Sequence, residues 1–234
     1  MARKRNDELN AATAEAIKQA ARQLMAEEGT NGLSIRGIAK VLDLTPPAIY
    51  HYFASLDDLT TALIAESFNA LADTLEEASG HSVAATAGGK LFDVLMAYRQ
   101  WAVDHPIDFQ LIYGNPIPGY VAPADVTVPA VVRTFVATVS LIEEALQTGE
   151  LKSVEPYNQI PEVVEARLLE LITENNYPIA TLSFYLALVL WTQVHGIIYL
   201  EIYNHIQFNV GSVDAFFEAQ IRSMLAAMGL RLAT

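Results

Sequence analysis

Apolar side chains recur at helical rather than strand spacing along most of the 234 residues. Leu9, Thr13, Ile17, Ala20, Ala21, Leu24 and Met25 fall on one face and predict a first helix that Gly29 ends. Ser34 is placed to cap a short second helix from Ile35 to Leu42, and Asp43-Leu44 reads as a tight turn. Thr45 is placed to cap a third helix reaching about Tyr52, with Pro46 in the first turn, where a missing N–H costs nothing. Leu59, Leu63, Phe68, Leu71 and Leu75 mark a long fourth helix closed near Gly80.

The rest continues in the same period. Helices are expected over roughly 85–104, 106–113, 128–147 (preceded by Thr127 and followed by Gly149), 161–174, 179–203 and 212–228, with Gly229 ending the last. The stretch from Tyr113 to Pro123 holds too many Pro and Gly residues for a helix or a central strand, so it reads as a loop. No alternating strand pattern, repeat or low-complexity tract interrupts this reading. The fold class is all-α, with about ten helices.

Composition narrows the function. Hydrophobic residues make up 52% of the chain, ample for a core. Cysteine is absent, which removes disulfides, thiol nucleophiles and thiolate metal sites. The N-terminal charges have no apolar stretch behind them, so no secretory signal is expected and the default location is cytoplasmic. The net charge is −13, which excludes a uniformly basic nucleic-acid binder. Its placement is uneven. Residues 1–60 hold seven of the 14 basic groups (Arg3, Lys4, Arg5, Lys18, Arg22, Arg36, Lys40) against eight acidic ones. That balance of −1 leaves −12 to residues 61–234. Only the first segment is suited to approach a phosphate backbone.

Between Glu174 and Glu201 no Asp, Glu, Lys or Arg occurs, a run longer than the ~20 residues that cross a bilayer. Thr181, Ser183, Thr192, Gln193, His195 and Gly196 interrupt it, and no basic cluster flanks it. A helix buried in a core or a subunit interface fits better, and no membrane association is expected.

Three short helices in the first 55 residues, the second and third joined by a tight turn, form a helix-turn-helix pattern. Its apolar set is Ile38, Ala39, Leu42, Leu44, Ile49 and Phe53. Ala39 is small enough for a close helix crossing, and Asp43 tolerates the left-handed backbone that the turn requires.

The segment SIRGIAKVLDLTPPAIYHYF, residues 34–53, with its continuation SLDDL, resembles the DNA-binding segment of the tetracycline-repressor (TetR) family over about residues 10–65. Asp43 stands where that family usually has Gly, Pro47 where Gly is frequent, and Leu56 where a phosphate-contacting Lys is usual. The resemblance implies that the 45–52 helix enters the major groove. Arg36 is then the best base reader, its guanidinium matching guanine O6 and N7. Pro46, Pro47 and Ala48 suit thymine methyls, and Thr45 caps its helix and touches phosphate. Tyr50, His51 and Tyr52 either contact phosphate or pack within the helices. Arg3, Lys4 and Arg5 form either a minor-groove arm or a solvated tail.

Further along, WTQVHGIIYLE (residues 191–201) and the loop YGNPIPGY (residues 113–120) resemble the Trp-His-Gly type of TetR C-terminal domain. The resemblance implies a DNA-binding domain over residues 1–56 and an effector-binding and dimerisation domain over 57–234. An effector pocket would draw on Met96, Arg99, Trp101, Phe109, Tyr113, Phe135, Trp191 and His195. Each aromatic is otherwise a core residue, Arg99 is otherwise an ion-pair partner, and His195 is otherwise a satisfied core histidine. The dimer seam would draw on Phe184, Leu188, Phe216, Phe217, Ile221 and Met224.

Glu201 and His205 stand four apart, a metal-compatible spacing, but two ligands make no site, and no nucleophile or glycine-rich phosphate loop is recognisable. No enzyme, metal or cofactor is expected. The expected partners are a palindromic double-stranded DNA operator, a small, largely apolar effector and a second copy of the chain. The competing reading is a helical small-molecule-binding module without sequence-specific DNA binding.

Overall fold

The computed structural model describes residues 2–230 and Leu232; the side chains of residues 2–8 and Asn31 lie outside that description. Eleven α-helices are present among the described residues: α1 (Ala2–Glu28), α2 (Ile35–Val41), α3 (Pro46–Tyr50), α4 (Leu56–His81), α5 (Ala87–Asp104), α6 (Pro106–Tyr113), α7 (Ala124–Thr148), α8 (Glu162–Asn175), α9 (Thr181–Ile202), α10 (Gln207–Val210) and α11 (Val213–Ala227). The all-α expectation holds, and the one β-like feature described is an isolated antiparallel bridge between Leu151 and Leu230.

The helices form two compact units. The first comprises Met1–Phe68 and His105–Ala130; the second comprises Asn69–Asp104 and Val131–Thr234.

In the first unit, local chemistry sets the helix ends. The Ser34 hydroxyl accepts the Gly37 N–H (3.1 Å) and starts α2, as its position predicts. Asp43 adopts φ 53° in the turn, and the Leu44 N–H closes it onto the Ala39 carbonyl (2.9 Å). Ser55 accepts the Asp58 N–H (3.0 Å) and starts α4 at Leu56, ahead of its first core leucine. Ile17, Ile38, Ile49, Leu59 and Leu63 are fully buried at the centre, with Leu111 of α6 and Ala130 of α7 in the same cluster. Polar groups repeat this tie. Arg22 of α1 donates to Asp108 of α6 (2.9 Å) and to Glu66 of α4 (3.2 Å), and Ser67 donates to Asp108 (2.6 Å).

Several local features differ from expectation: α3 ends at Tyr50 rather than about Tyr52, and a short helix, α10, lies between α9 and α11. Thr45 occupies the cap position of α3 but its side chain makes no cap hydrogen bond. Helix α7 begins at Ala124, not Val128, and contains Pro129. The Pro123 carbonyl takes the N–H of Val126 and of Thr127 and the Thr127 hydroxyl, so the first turn closes before the proline is reached. Pro129 then forfeits a single backbone hydrogen bond.

In the second unit, α9 packs against α5, α8 and α11. Leu91 and Val94 of α5, Leu190 and Ile198 of α9, and Phe217 and Ile221 of α11 are fully buried. Arg99, 5% exposed, sits among them and donates to both Glu201 oxygens (2.6 and 2.6 Å) and to Asp214 (2.7 Å). Its guanidinium also lies 5.3 Å from the Phe217 ring centre. The Tyr98 hydroxyl bonds Nδ1 of His195 (3.0 Å), joining α5 to α9. Helices α7 and α9 are each long and apolar enough to cross a membrane by length and composition.

The packing sets two expectations for stability. Gly229 has φ 93°, and an added Cβ would collide with the Lys152 carbonyl beside the Leu151–Leu230 bridge. Gly149 shares the positive φ but faces open space. Gly229→Ala is expected to cost about 2–4 kcal/mol, against about 1 kcal/mol for Gly149→Ala, in urea unfolding. Equal costs would show that the bridge yields without strain.

Burial holds the His195 pKa below its ordinary 6.5. The unfolded chain takes up that proton more readily, so this contribution to stability is intact above pH 6.5 and is lost progressively as pH falls below it. His195→Gln should therefore shrink the drop in Tm between about pH 7.5 and about pH 5.5. The same drop in both proteins would show that His195 does not titrate against the fold.

Candidate functional site

Charge on the first unit is more selective than the sequence count implies. The side chains of Arg3, Lys4 and Arg5 lie outside the described residues. Lys18 is paired with Glu15 and Glu66, and Arg22 with Asp108 and Glu66. Burial, the largest single influence, opposes the charge on Arg22, but the hydrogen bonds and charges of Asp108 and Glu66 together outweigh it and the pKa is raised. Arg36 and Lys40 remain, both exposed, with no ion-pair partner among the described residues. They stand four apart on α2 and therefore on one face. Lys40 was legible from that spacing yet carries no role in the sequence-based assignment.

Helix α3 is anchored by Ile49, which is fully buried. Around it Thr45, Pro47, Tyr50 and His51 are exposed, while Pro46, Ala48 and Tyr52 are half-buried. Tyr52 packs against the core cluster and meets the His51 ring edge-on at 5.3 Å. Tyr50, 51% exposed, points outward rather than into the helices. The uncapped Thr45 hydroxyl, the Tyr50 phenol and the two cations give this unit hydrogen-bond donors on α2 and α3.

The eight residues expected around an effector divide between the units. Phe109 and Tyr113 belong to the first, where their rings lie 5.4 Å apart and Tyr113 meets Phe68 edge-on at 5.6 Å. Phe109 is fully buried. Met96, Arg99, Trp101, Phe135, Trp191 and His195 belong to the second. There Trp191 lies 5.1 Å from the His195 ring, and Phe135 lies 5.3 Å from Phe184. Trp101 is buried, whereas Met96 and Phe135 are half-buried. Of the two roles open to Arg99, the ion pair is the one observed: Glu201 and Asp214 take its donors. The hydrogen bonds that it donates to Glu201, more than the opposing burial, raise its pKa.

A groove of about 300 Å³ in the second unit is lined by Ser140, Glu143, Glu144, Gln147, Thr148, Pro178 and Ile179, none of them among the eight. Burial opposes ionisation of Glu143, but the Ala180 N–H (2.8 Å) at the start of α9 contributes to holding its pKa below the usual range.

The six residues expected at a dimer seam also divide. Phe217 and Ile221 are fully buried within one chain, so they hold α11 to its own unit and offer no surface to a second copy. Phe184, Leu188, Phe216 and Met224 remain partly exposed. The helical pattern carries both sets on one element, and the aromatic contact with Arg99 shows that Phe217 faces inward.

Comparison with known proteins agrees with these features. The family described as bacterial regulatory proteins, tetR family, matches residues 17–66. The tetracyclin repressor-like C-terminal domain matches residues 91–224. The HTH-type transcriptional regulator Rv1816 of Mycobacterium tuberculosis (strain H37Rv) is 30% identical over 232 residues, covering 96% of this chain and 95% of that protein. The crystal structure of SCO4313 superposes with TM-score 0.76 at 26% identity, covering 94% of this chain and 98% of the other. The TetR-family regulator PfmR of Thermus thermophilus shares the fold, at TM-score 0.62 and 13% identity, over 91% of this chain and 98% of its own. A helix-turn-helix unit with unpaired cations on α2, joined to a helical C-terminal domain and matched along nearly its whole length by such a regulator, places the chain in the TetR family of bacterial transcriptional regulators.

Proposed function

We propose that this TetR-family regulator is a cytoplasmic homodimeric repressor that leaves a palindromic operator when a small, largely apolar effector binds. Residues 1–56 read DNA, and residues 57–234 bind the effector and dimerise. The observation that carries the reading is the pair Arg36 and Lys40: two exposed, unpaired cations on one face of α2, in a unit whose other described cations are neutralised. Arg36 reads a guanine, and Lys40, Thr45, Tyr50, His51 and Tyr52 position the helix on phosphate. Pro46, Pro47 and Ala48 meet thymine methyls.

The Tyr98–His195–Trp191 corner with Met96 and Phe135 supplies the polar and aromatic wall for an effector. DNA and effector favour different spacings of the two reading heads, so each weakens the other's binding by the same factor.

Gly196 supports the dimer. It is exposed in the middle of α9, and an added Cβ would meet nothing within 4 Å. Glycine there costs about 1 kcal/mol relative to alanine, and close approach by a helix of a second copy gives it a use. The seam then runs along Phe184 and Leu188 of α9 and Phe216 and Met224 of α11.

An electrophoretic mobility shift with the DNA upstream of the protein's own coding region tests the reading. Arg36→Ala is expected to cost about 1–3 kcal/mol on the operator and little on random DNA. Lys40→Ala should instead weaken both alike and flatten the salt dependence. Equal weakening on operator and random DNA by Arg36→Ala would make Arg36 a phosphate contact, and no shift with the wild type on any upstream fragment would remove the DNA-reading role.

A further inference from the structure

The loop YGNPIPGY, residues 113–120, runs back from α6 along α4 toward the reading helices. The Tyr113 ring meets Phe68 edge-on at 5.6 Å, and further along the loop the Tyr120 hydroxyl lies 2.8 Å from that of Thr61. Phe68 and Thr61 are two helical turns apart, so they share one face of α4. The loop has a fixed shape of its own. The Gly114 N–H bonds the Gln110 carbonyl (2.8 Å). The Tyr120 N–H bonds the Ile117 carbonyl (3.1 Å) with Gly119 at φ 79°, the pattern of a type II turn with Pro118 at its second position. Ile117 and Tyr120 are half-buried against the core cluster that also receives Tyr52 and Phe53, just after α3, and Leu56 at the start of α4.

A single hydrogen sets the direction of the Tyr120–Thr61 bond. The Thr61 hydroxyl donates its one hydrogen to the Asp57 carbonyl (2.8 Å), so Tyr120 is the donor and Thr61 the acceptor. A chain of hydrogen bonds therefore passes from the loop, through Thr61, into the first turn of α4. Residues 51–55 are all that separate this turn from α3. Ser55 caps it from within the local chain, whereas Tyr120 holds it from 59 residues further on.

We infer that the 113–120 loop is a working part of the DNA-reading head, in which Tyr120 is a positioning residue that fixes the first turn of α4 through Thr61 and so sets how α2 and α3 meet the operator. This rests on the DNA-reading role proposed above. A bidentate base contact by Arg36 needs its geometry held within about 0.5 Å, whereas phosphate contacts carry no sequence information. A loosened first turn therefore costs operator affinity before it costs general affinity for DNA.

The test uses Tyr120→Phe, which removes the hydroxyl and keeps the ring in the cluster. Its affinity for the upstream fragment that the wild type shifts should fall about 3- to 10-fold, the scale of one lost hydrogen bond. Its affinity for random DNA of the same length should stay within about twofold of wild type. Amide hydrogen exchange in the first two turns of α4 should quicken without DNA present. Thr61→Val removes the acceptor and should lose at least as much on the operator, Tyr120→Phe/Thr61→Val should be no worse than Thr61→Val, and Thr61→Ser, which keeps the hydroxyl, should match wild type. A bond that only held the fold together would lower Tm and leave the ratio of the two affinities unmoved. An unmoved ratio in Tyr120→Phe, unchanged exchange in α4, or additive losses in the double variant would refute the positioning role while DNA reading stands. A wild type that binds every upstream fragment no better than random DNA overturns both.

Discussion

A guanidinium removed from water must find acceptors for its fork of donors, and Arg99 finds them on two other helices. Its partners, Glu201 near the end of α9 and Asp214 near the start of α11, stand thirteen residues apart and are brought to one cation on α5. The buried Arg99–Glu201 pair adds little net stability over a well-packed apolar substitute, but removing one of those two costs about 3–5 kcal/mol, whereas Asp214 is largely exposed and holds less. The effect of the pair is to make alternative packings expensive. With Arg99 fixed, α9 and α11 have one register against α5, Phe217 faces inward under the guanidinium, and the Glu201 carbonyl stands where Gln207 ties down the α9–α11 connector.

The first unit is organised by an equivalent constraint. Asp108 of α6 accepts from Arg22 of α1 and from Ser67 of α4, while Glu66 accepts from Lys18 and Arg22. These bonds hold a helix distant in sequence in the same unit as the helix-turn-helix. They also use up two of the cations that would otherwise lie open to phosphate. Arg36 and Lys40 stay free because α2 is short and no described acidic residue pairs with either of them.

Most of the fold was legible because it depends on local chemistry. Ser34 caps α2, Asp43 turns left-handed, and Gly29, Gly149 and Gly229 take positive φ at helix ends, each where side-chain chemistry or the absence of a Cβ calls for it. What escaped depends on partners distant in sequence. The start of α7 turns on the Pro123 carbonyl collecting three donors, whereas Pro129 alone suggests a later start. Whether Phe216 or Phe217 faces the core cannot be read from adjacent phenylalanines; Arg99, more than a hundred residues away, decides it. The two roles open to Arg99 itself were separable only by locating its carboxylates. The short helix α10 has too few residues for a period to register.

Charge placement links the two halves of the proposed function. Each cation that neutralises a phosphate adds to the salt dependence and to non-specific affinity, so a reading head with two described free cations leans on base contacts and shape for its hold on DNA. Such a hold is released by a modest coupling free energy, about 1–3 kcal/mol, well within what a small effector supplies. The acidic body works in the same direction, because it is repelled by the duplex and confines contact to the reading heads. In the proposed homodimer, that confinement would make the spacing of the two heads the quantity an effector has to change.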